Sequence, residues 1–200
     1  MKTTRSFLTL LFAVFCSATM LAQANKAFPD YLSVPGPIAF NNKSYNLAWT
    51  SHPTDNYYKQ EYLIKGESPE KFKSMLLLEV IVAITPVKEI VAGKIAELKK
   101  MKASNPIINY EMFQKDGEYI LDFLLSANAP DGSASVIERN IYRYKSFTDK
   151  SGKKGVVLLA ISTRAYEKEV DKFLVNLKAN KSILVNAVAA FNIPAISIKK

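Results

Sequence analysis

Apolar and polar positions change their period several times along the chain, and each change marks an element. "PGPIAFNNKSYNLAWT" opens on a Pro-Gly-Pro bend and then has apolar residues on either side of Asn41-Asn42, a dipeptide that tolerates positive φ. This predicts a small hairpin with Tyr45, Leu47 and Trp49 on one face. "SHPTDN" reads as the break that ends it, and "YYKQEYLI" as the next strand. "GESPEKF" predicts a loop with one helical turn, Ser68 capping and Pro69 in the first helical position. A strand is expected from Met75 to Ile84. After Thr85-Pro86, a second start signal of the same kind, Val87, Ile90, Val91, Ile95, Leu98 and Met101 keep helical spacing to about Lys102.

Four β-rich runs follow, "IINYEMFQK", "EYILDFLLSA", "SVIERNIYRYKSF" and "GVVLLAIST", separated by Asp116-Gly117, "APDGS" and "DKSGKKG". Runs of this length with turn-formers between them predict an antiparallel meander. Helical spacing returns with Val170, Phe173, Leu174 and Leu177, continued by Leu184, Val188 and Phe191, as one helix or as two broken at Asn180. Each helix has one apolar stripe and must lie on the sheet. The expected fold is a single α+β domain over residues 25–200, with about six or seven mostly antiparallel strands packed by a central helix and a C-terminal helix or helix pair.

The first residues change the picture of where this domain works. "MKTTRSFLTLLFAVFCSATMLAQA" has a basic start at Lys2 and Arg5, an apolar run too short for an ordinary membrane span, and a small-x-small end at Ala22-Gln23-Ala24. Residues 1–24 read as a cleaved secretory signal, giving a periplasmic or secreted chain beginning at Asn25. The signal carries the only cysteine, Cys16, so the remainder has no disulfide and no thiol nucleophile. Glu79 interrupts one later apolar run, and Asn186, Asn192 and Pro194 another, so both read as core and no transmembrane segment is expected after cleavage.

Charge is uneven. Residues 25–128 hold 12 basic and 12 acidic side chains, whereas 129–200 hold 13 and 6, so the whole excess lies in the last part of the chain. Export and the lack of a recognition motif exclude nucleic acid as the target, leaving an anionic surface, a protein partner or a small ligand.

Catalytic and metal chemistry find little footing. His52 is the only histidine, which argues against a zinc site, and "APDGSAS" is too poor in carboxylates for a calcium loop. No cofactor motif is present: there is no Gly-x-Ser-x-Gly elbow and no glycine-rich phosphate loop. A hydrolase would have to use His52 with Asp55, or a pair of strand carboxylates. The aromatic group of Trp49, His52 and Tyr58 beside Asp55 reads first as a decorated turn between strands, and otherwise as a stacking rim for a ligand.

Ionisable residues inside strands are the other candidates: Glu79, Asp122, Glu138, Arg139 and Arg143. Period-two alternation puts Asp122 on the face of Ile120 and Leu124, and Arg139 on the face of Arg143. A carboxylate on an apolar face needs a partner, so cross-strand ion pairs are expected. The alternative is that Glu79, Asp122 and Arg139 line a shallow ligand cleft.

"VPGPIAFNNKSYNLAWTSHPTDNYYKQEYL", "IINYEMFQKDGEYILDFLLS", "VIERNIYRYKSF", "GVVLLAISTRAY" and "FLVNLKANK" resemble a family of uncharacterised exported bacterial proteins, over most of residues 34–194. The element order also resembles the PsbP-like fold, named for an extrinsic subunit of photosystem II. That resemblance implies an antiparallel sheet sandwiched by helices and a binding or assembly accessory, with no activity. The expectation is therefore an exported accessory or binding protein. Its rivals are a hydrolase-like enzyme and a peripheral membrane protein attached through residues 182–198.

Overall fold

Eight antiparallel strands form one sheet in the order β1-β2-β3-β4-β8-β7-β6-β5 in the computed structural model, which describes residues 28–128 and 134–199. The strands are β1 (Ile38–Phe40), β2 (Lys43–Thr54), β3 (Tyr57–Leu63), β4 (Ser74–Ile81), β5 (Asn109–Lys115), β6 (Glu118–Asn128), β7 (Ala134–Thr148) and β8 (Lys154–Tyr166). Helix α1 (Val87–Lys102) separates the two halves, and α2 (Val170–Ala190) follows the last strand. The expected signal and the "APDGS" turn lie outside the described residues.

The meander β5 to β8 forms as the pattern predicts, and the chain's two halves meet where β4 pairs with β8. The strand count is eight, above the six or seven expected. Every strand answers to a run read in the sequence, β1 and β2 to the two arms of the hairpin, so only the total is corrected. Asn41 and Asn42 hold φ of 47° and 60° between β1 and β2, the left-handed geometry a two-residue hairpin requires.

Four local expectations are corrected. β2 runs on through Ser51, His52, Pro53 and Thr54, so the "SHPTDN" break shrinks to a turn at Asp55-Asn56. Pro53 is tolerated because it sits in a register shift on a stretch that β1 does not pair. A second shift between Leu47 and Trp49 turns Trp49 to the face opposite Tyr45 and Leu47. Residues 68–71 form a turn closed by the Lys71 N–H on the Ser68 carbonyl at 3.1 Å, without a helical turn. β4 also stops at Ile81, leaving Ile84 fully exposed.

Each face of the sheet buries its own core. Leu63, Met75, Leu77, Leu121, Phe123, Leu158 and Ala160 pack under Val87, Val91 and Leu98 of α1. On the other face Tyr62, Leu76, Leu78, Ile141, Leu159 and Ile161 pack under Val185 and Val188 of α2. Residues 28–37 and 191–199 complete that second layer. Gln60, wholly buried, receives the Leu32 N–H at 2.9 Å and donates to the Val34 carbonyl, while the Tyr62 hydroxyl donates to the same carbonyl at 2.6 Å. Ser197 and Lys199 donate their N–H groups to the carbonyls of Leu32 and Tyr31.

Asn180 has φ −124° and ψ 22°, so α2 is two helices across a break at the residue where the pattern placed one. None of the helices among the described residues is long and apolar enough to cross a membrane.

Candidate functional site

At the Asp55-Asn56 turn the aromatic side chains bond to one another and to backbone. His52 stacks on Tyr58 with ring centroids 4.1 Å apart and Tyr31 beside it, and its Nδ1–H donates to the Tyr57 carbonyl at 3.2 Å. The Tyr58 hydroxyl donates to the backbone carbonyl of Asp55. Among the described residues no carboxylate bonds to His52. Trp49, 37 % exposed, lies on the opposite face of the sheet, with the Lys59 ammonium 5.8 Å from its ring centroid. The register shift after Leu47 therefore divides the predicted aromatic rim between two faces.

On the α2 face, period-two alternation brings Asp122 and Arg139 together as expected. Arg139 donates Nε to Asp122 Oδ1 at 3.0 Å and Nη2 to Oδ2 at 2.8 Å, a planar two-bond pair with each residue 5 % exposed. Nη2 also reaches the Lys181 carbonyl beside the break in α2. About two helical turns further, Arg143 bonds Glu118 at 2.7 Å and donates to the carbonyls of Val188 and Phe191 at the end of α2. A cation at a helix C-terminus also meets the negative end of its dipole. Burial pushes the Glu118 carboxyl up, but the bonds from Lys145 and Arg143 outweigh it and hold it below the usual glutamate value. These arginines pin α2 to the sheet.

Beyond them α2 stands clear of β5 and the β5–β6 turn, leaving a groove of about 650 Å³. Ile120, Val185 and Ala189 supply apolar walls, and Phe113, 43 % exposed, stands at the open side. Lys181 is paired with Glu111, and Arg143 with Glu118. Lys115 and Lys178 also line the groove, and neither makes an ion pair among the described residues.

Glu79 lies on the other face. Its register partner on β8 is Leu158, and the two belong to the surface that α1 covers only in part. A recess of about 300 Å³ opens between α1 and the sheet, with Tyr57, Glu79, Tyr142 and Tyr144 on the sheet side and Ile90, Lys94 and Glu97 on the helix side. The Tyr57 hydroxyl donates to Glu79 Oε2 at 2.8 Å. Burial outweighs the Lys59 charge and the Tyr57 bond and pushes the Glu79 carboxyl above its usual value. Burial, reinforced by the Glu79 charge, likewise raises the Tyr57, Tyr142 and Tyr144 hydroxyls.

That direction makes a prediction. A carboxyl whose folded pKa is raised contributes stability while both states are protonated, and the contribution is lost as pH rises from the unfolded value through the folded one. Glu79→Gln removes the charge and keeps the shape. Its melting temperature is expected to match the parent at about pH 3.5 and to exceed it near pH 7. A variant that melts lower than the parent at neutral pH would show that the carboxylate charge is structurally required.

The cleft of Glu79, Asp122 and Arg139 imagined from the sequence is not assembled, because the first belongs to the α1 face and the other two to the α2 face. Glu138 is also on the α1 side, bonded to Arg164 and Asn140, with Arg164 over the Phe72 ring at 4.0 Å. Sequence reasoning missed Tyr142, Tyr144 and Lys94, and it grouped Tyr57 with Tyr58 and Tyr62 rather than with Glu79. The signal was present in "IYRY", where alternation sets Tyr142 and Tyr144 opposite Arg139 and Arg143.

The fold is thus a layered α+β protein with one antiparallel sheet and a recess on each face. The chain belongs to a family of uncharacterised function whose family model matches residues 32–193. No curated protein matches it.

Proposed function

We propose that this chain is an exported accessory protein that binds an amphiphile, with an apolar body and an anionic group, in the groove between α2 and β5. The observation that carries the reading is a 650 Å³ groove with apolar walls and two lysines, Lys115 and Lys178, that have no carboxylate partner among the described residues. A cavity of this size accepts a small ligand, and a few placed charges fix its orientation. Export rests on the basic, apolar and small-residue layout of residues 1–24.

The large apolar residues of 182–198 favour this reading over membrane attachment. Val185, Val188 and Ile196 are buried, and Leu184, Ile193 and Ile198 pack on the same core, which leaves Ile183, 60 % exposed, as the one large aliphatic side chain of the segment that faces outward for a bilayer.

The test uses the chain from Asn25 with dodecanoate as probe and dodecyltrimethylammonium as the charge-reversed control. Dodecanoate at ~100 times its dissociation constant is expected to stabilise the protein by about 2.7 kcal/mol, a rise of several degrees in Tm. Ala189→Trp, at an exposed position on the groove wall, is expected to abolish the shift while leaving the unliganded melt unchanged. Equal shifts with both amphiphiles, or an unchanged shift in Ala189→Trp, overturn the reading. Secretion is checked on the natural host's protein: recovery of the uncleaved chain in the cytoplasm contradicts it.

A further inference from the structure

The recess on the α1 face carries a second, chemically distinct site. Its central group is Glu79, a largely buried carboxylate with one close partner, the Tyr57 hydroxyl on Oε2. The nearby lysines are committed elsewhere. Lys59 lies 2.8 Å from Glu61 but 3.8 Å from Glu79, and Lys94 makes two bonds to Glu97 at 3.0 and 3.1 Å. Three carboxylates therefore face two ammonium groups, and Glu79 is the one left without a full counter-ion. Tyr144, only 4 % exposed, lines the same recess, and its hydroxyl has no protein partner among the described residues. A buried acid short of a cation, an idle hydroxyl acceptor and aromatic walls meet around an open volume of about 300 Å³.

A buried charge is tolerated when it is paired and hydrogen-bonded. The protein supplies half of that environment, and a bound cation would complete it. Tyrosine faces add attraction for positive charge. The acceptors on Glu79 and Tyr144 favour a cation with N–H donors over a quaternary one. Val156 and Leu158 provide apolar surface for a short carbon stem. We propose that this recess binds a primary alkylammonium group, held by Glu79 and the tyrosines around it.

The site is on the opposite face of the sheet from the amphiphile groove, so each reading stands or falls by itself. The probe is n-butylammonium chloride, titrated into the chain from Asn25 against sodium chloride at equal ionic strength and followed by amide NMR shifts. Saturable shifts at residues 57, 79 and 94, absent with sodium, are expected. Glu79→Gln, whose fold is verified by the melt described above, is expected to weaken binding about tenfold or more. Tyr144→Phe, which deletes only the hydroxyl, is expected to weaken it by a smaller factor, and tetramethylammonium to bind more weakly than n-butylammonium. Shifts no different from sodium overturn the proposal. Equal affinity in folded Glu79→Gln, or equal affinity for the two ammonium ions, does the same.

Discussion

Asp122→Ala is expected to lower the unfolding free energy by about 3–5 kcal/mol, the usual loss when one partner of a buried ion pair is deleted. The guanidinium of Arg139 would remain 5 % exposed with two of its donors unmatched and only the Lys181 carbonyl left to it. That carbonyl sits beside the break at Asn180, so the one bond left to Arg139 would have to hold the guanidinium against the second half of α2 without the carboxylate that orients it. Urea unfolding measures the change as a lower midpoint at constant slope. The paired replacement Asp122→Leu with Arg139→Met removes both charges together and is expected to recover most of the loss. A single variant within 1 kcal/mol or so of the parent would show that water reaches the pair and screens it.

Gly155→Ala is expected to be the second most damaging small change, costing about 3 kcal/mol by overpacking. The position lies where β8 leaves its register with β4, and a Cβ there would fall on the Ile81 carbonyl oxygen and within 2.8 Å of Phe147 Cε1. A ring can rotate away, but the carbonyl belongs to the backbone of a central strand. Thermal unfolding of the variant should show a drop of about 6–12 °C by the usual scaling for a domain of this size. An unchanged melt would mean that β4 and β8 separate freely at this end. Gly117 is the useful comparison: it too replaces a side chain with hydrogen, yet nothing lies near its missing Cβ, and its φ of 79° is what requires glycine.

The elements legible in the sequence are those whose period is long enough to count. The meander, α1 and the break in α2 all follow from runs of nine or more residues bounded by clear turn or start signals. β1 shows only as the short first arm of a hairpin marked by Asn41-Asn42, and the register shifts in β2 reverse the face of Trp49 without leaving any trace in composition. The same division holds for the candidate sites. Asp122 and Arg139 were readable as partners because each strand's own alternation aims them at the α2 side. Whether Glu79 joins them depends on cross-strand register carried from β4 through β8 to β7, and no single segment encodes that. The recess on the α1 face draws tyrosines from β3 and β7 and a lysine from a helix, so its parts look like ordinary strand and surface residues until the sheet is assembled. The groove depends on where α2 ceases to cover the sheet, which is a matter of crossing geometry.

The contact between residues 31–33 and 197–199 sets an order of events for a chain made from its N-terminus. Leu32 and Tyr31 accept from Ser197 and Lys199, and the Ser33 hydroxyl donates to the Ser197 carbonyl, a separation of 164 residues. Those bonds have no partner until residues 197–199 emerge from the ribosome. Until then the layer over Tyr62 and Gln60 stays unfinished, whatever the central strands have done. Contacts so distant along the chain slow folding, because a large loop must close before they return any energy. A growing chain therefore cannot close this core layer before residues 197–199 have emerged, however early its central strands pair.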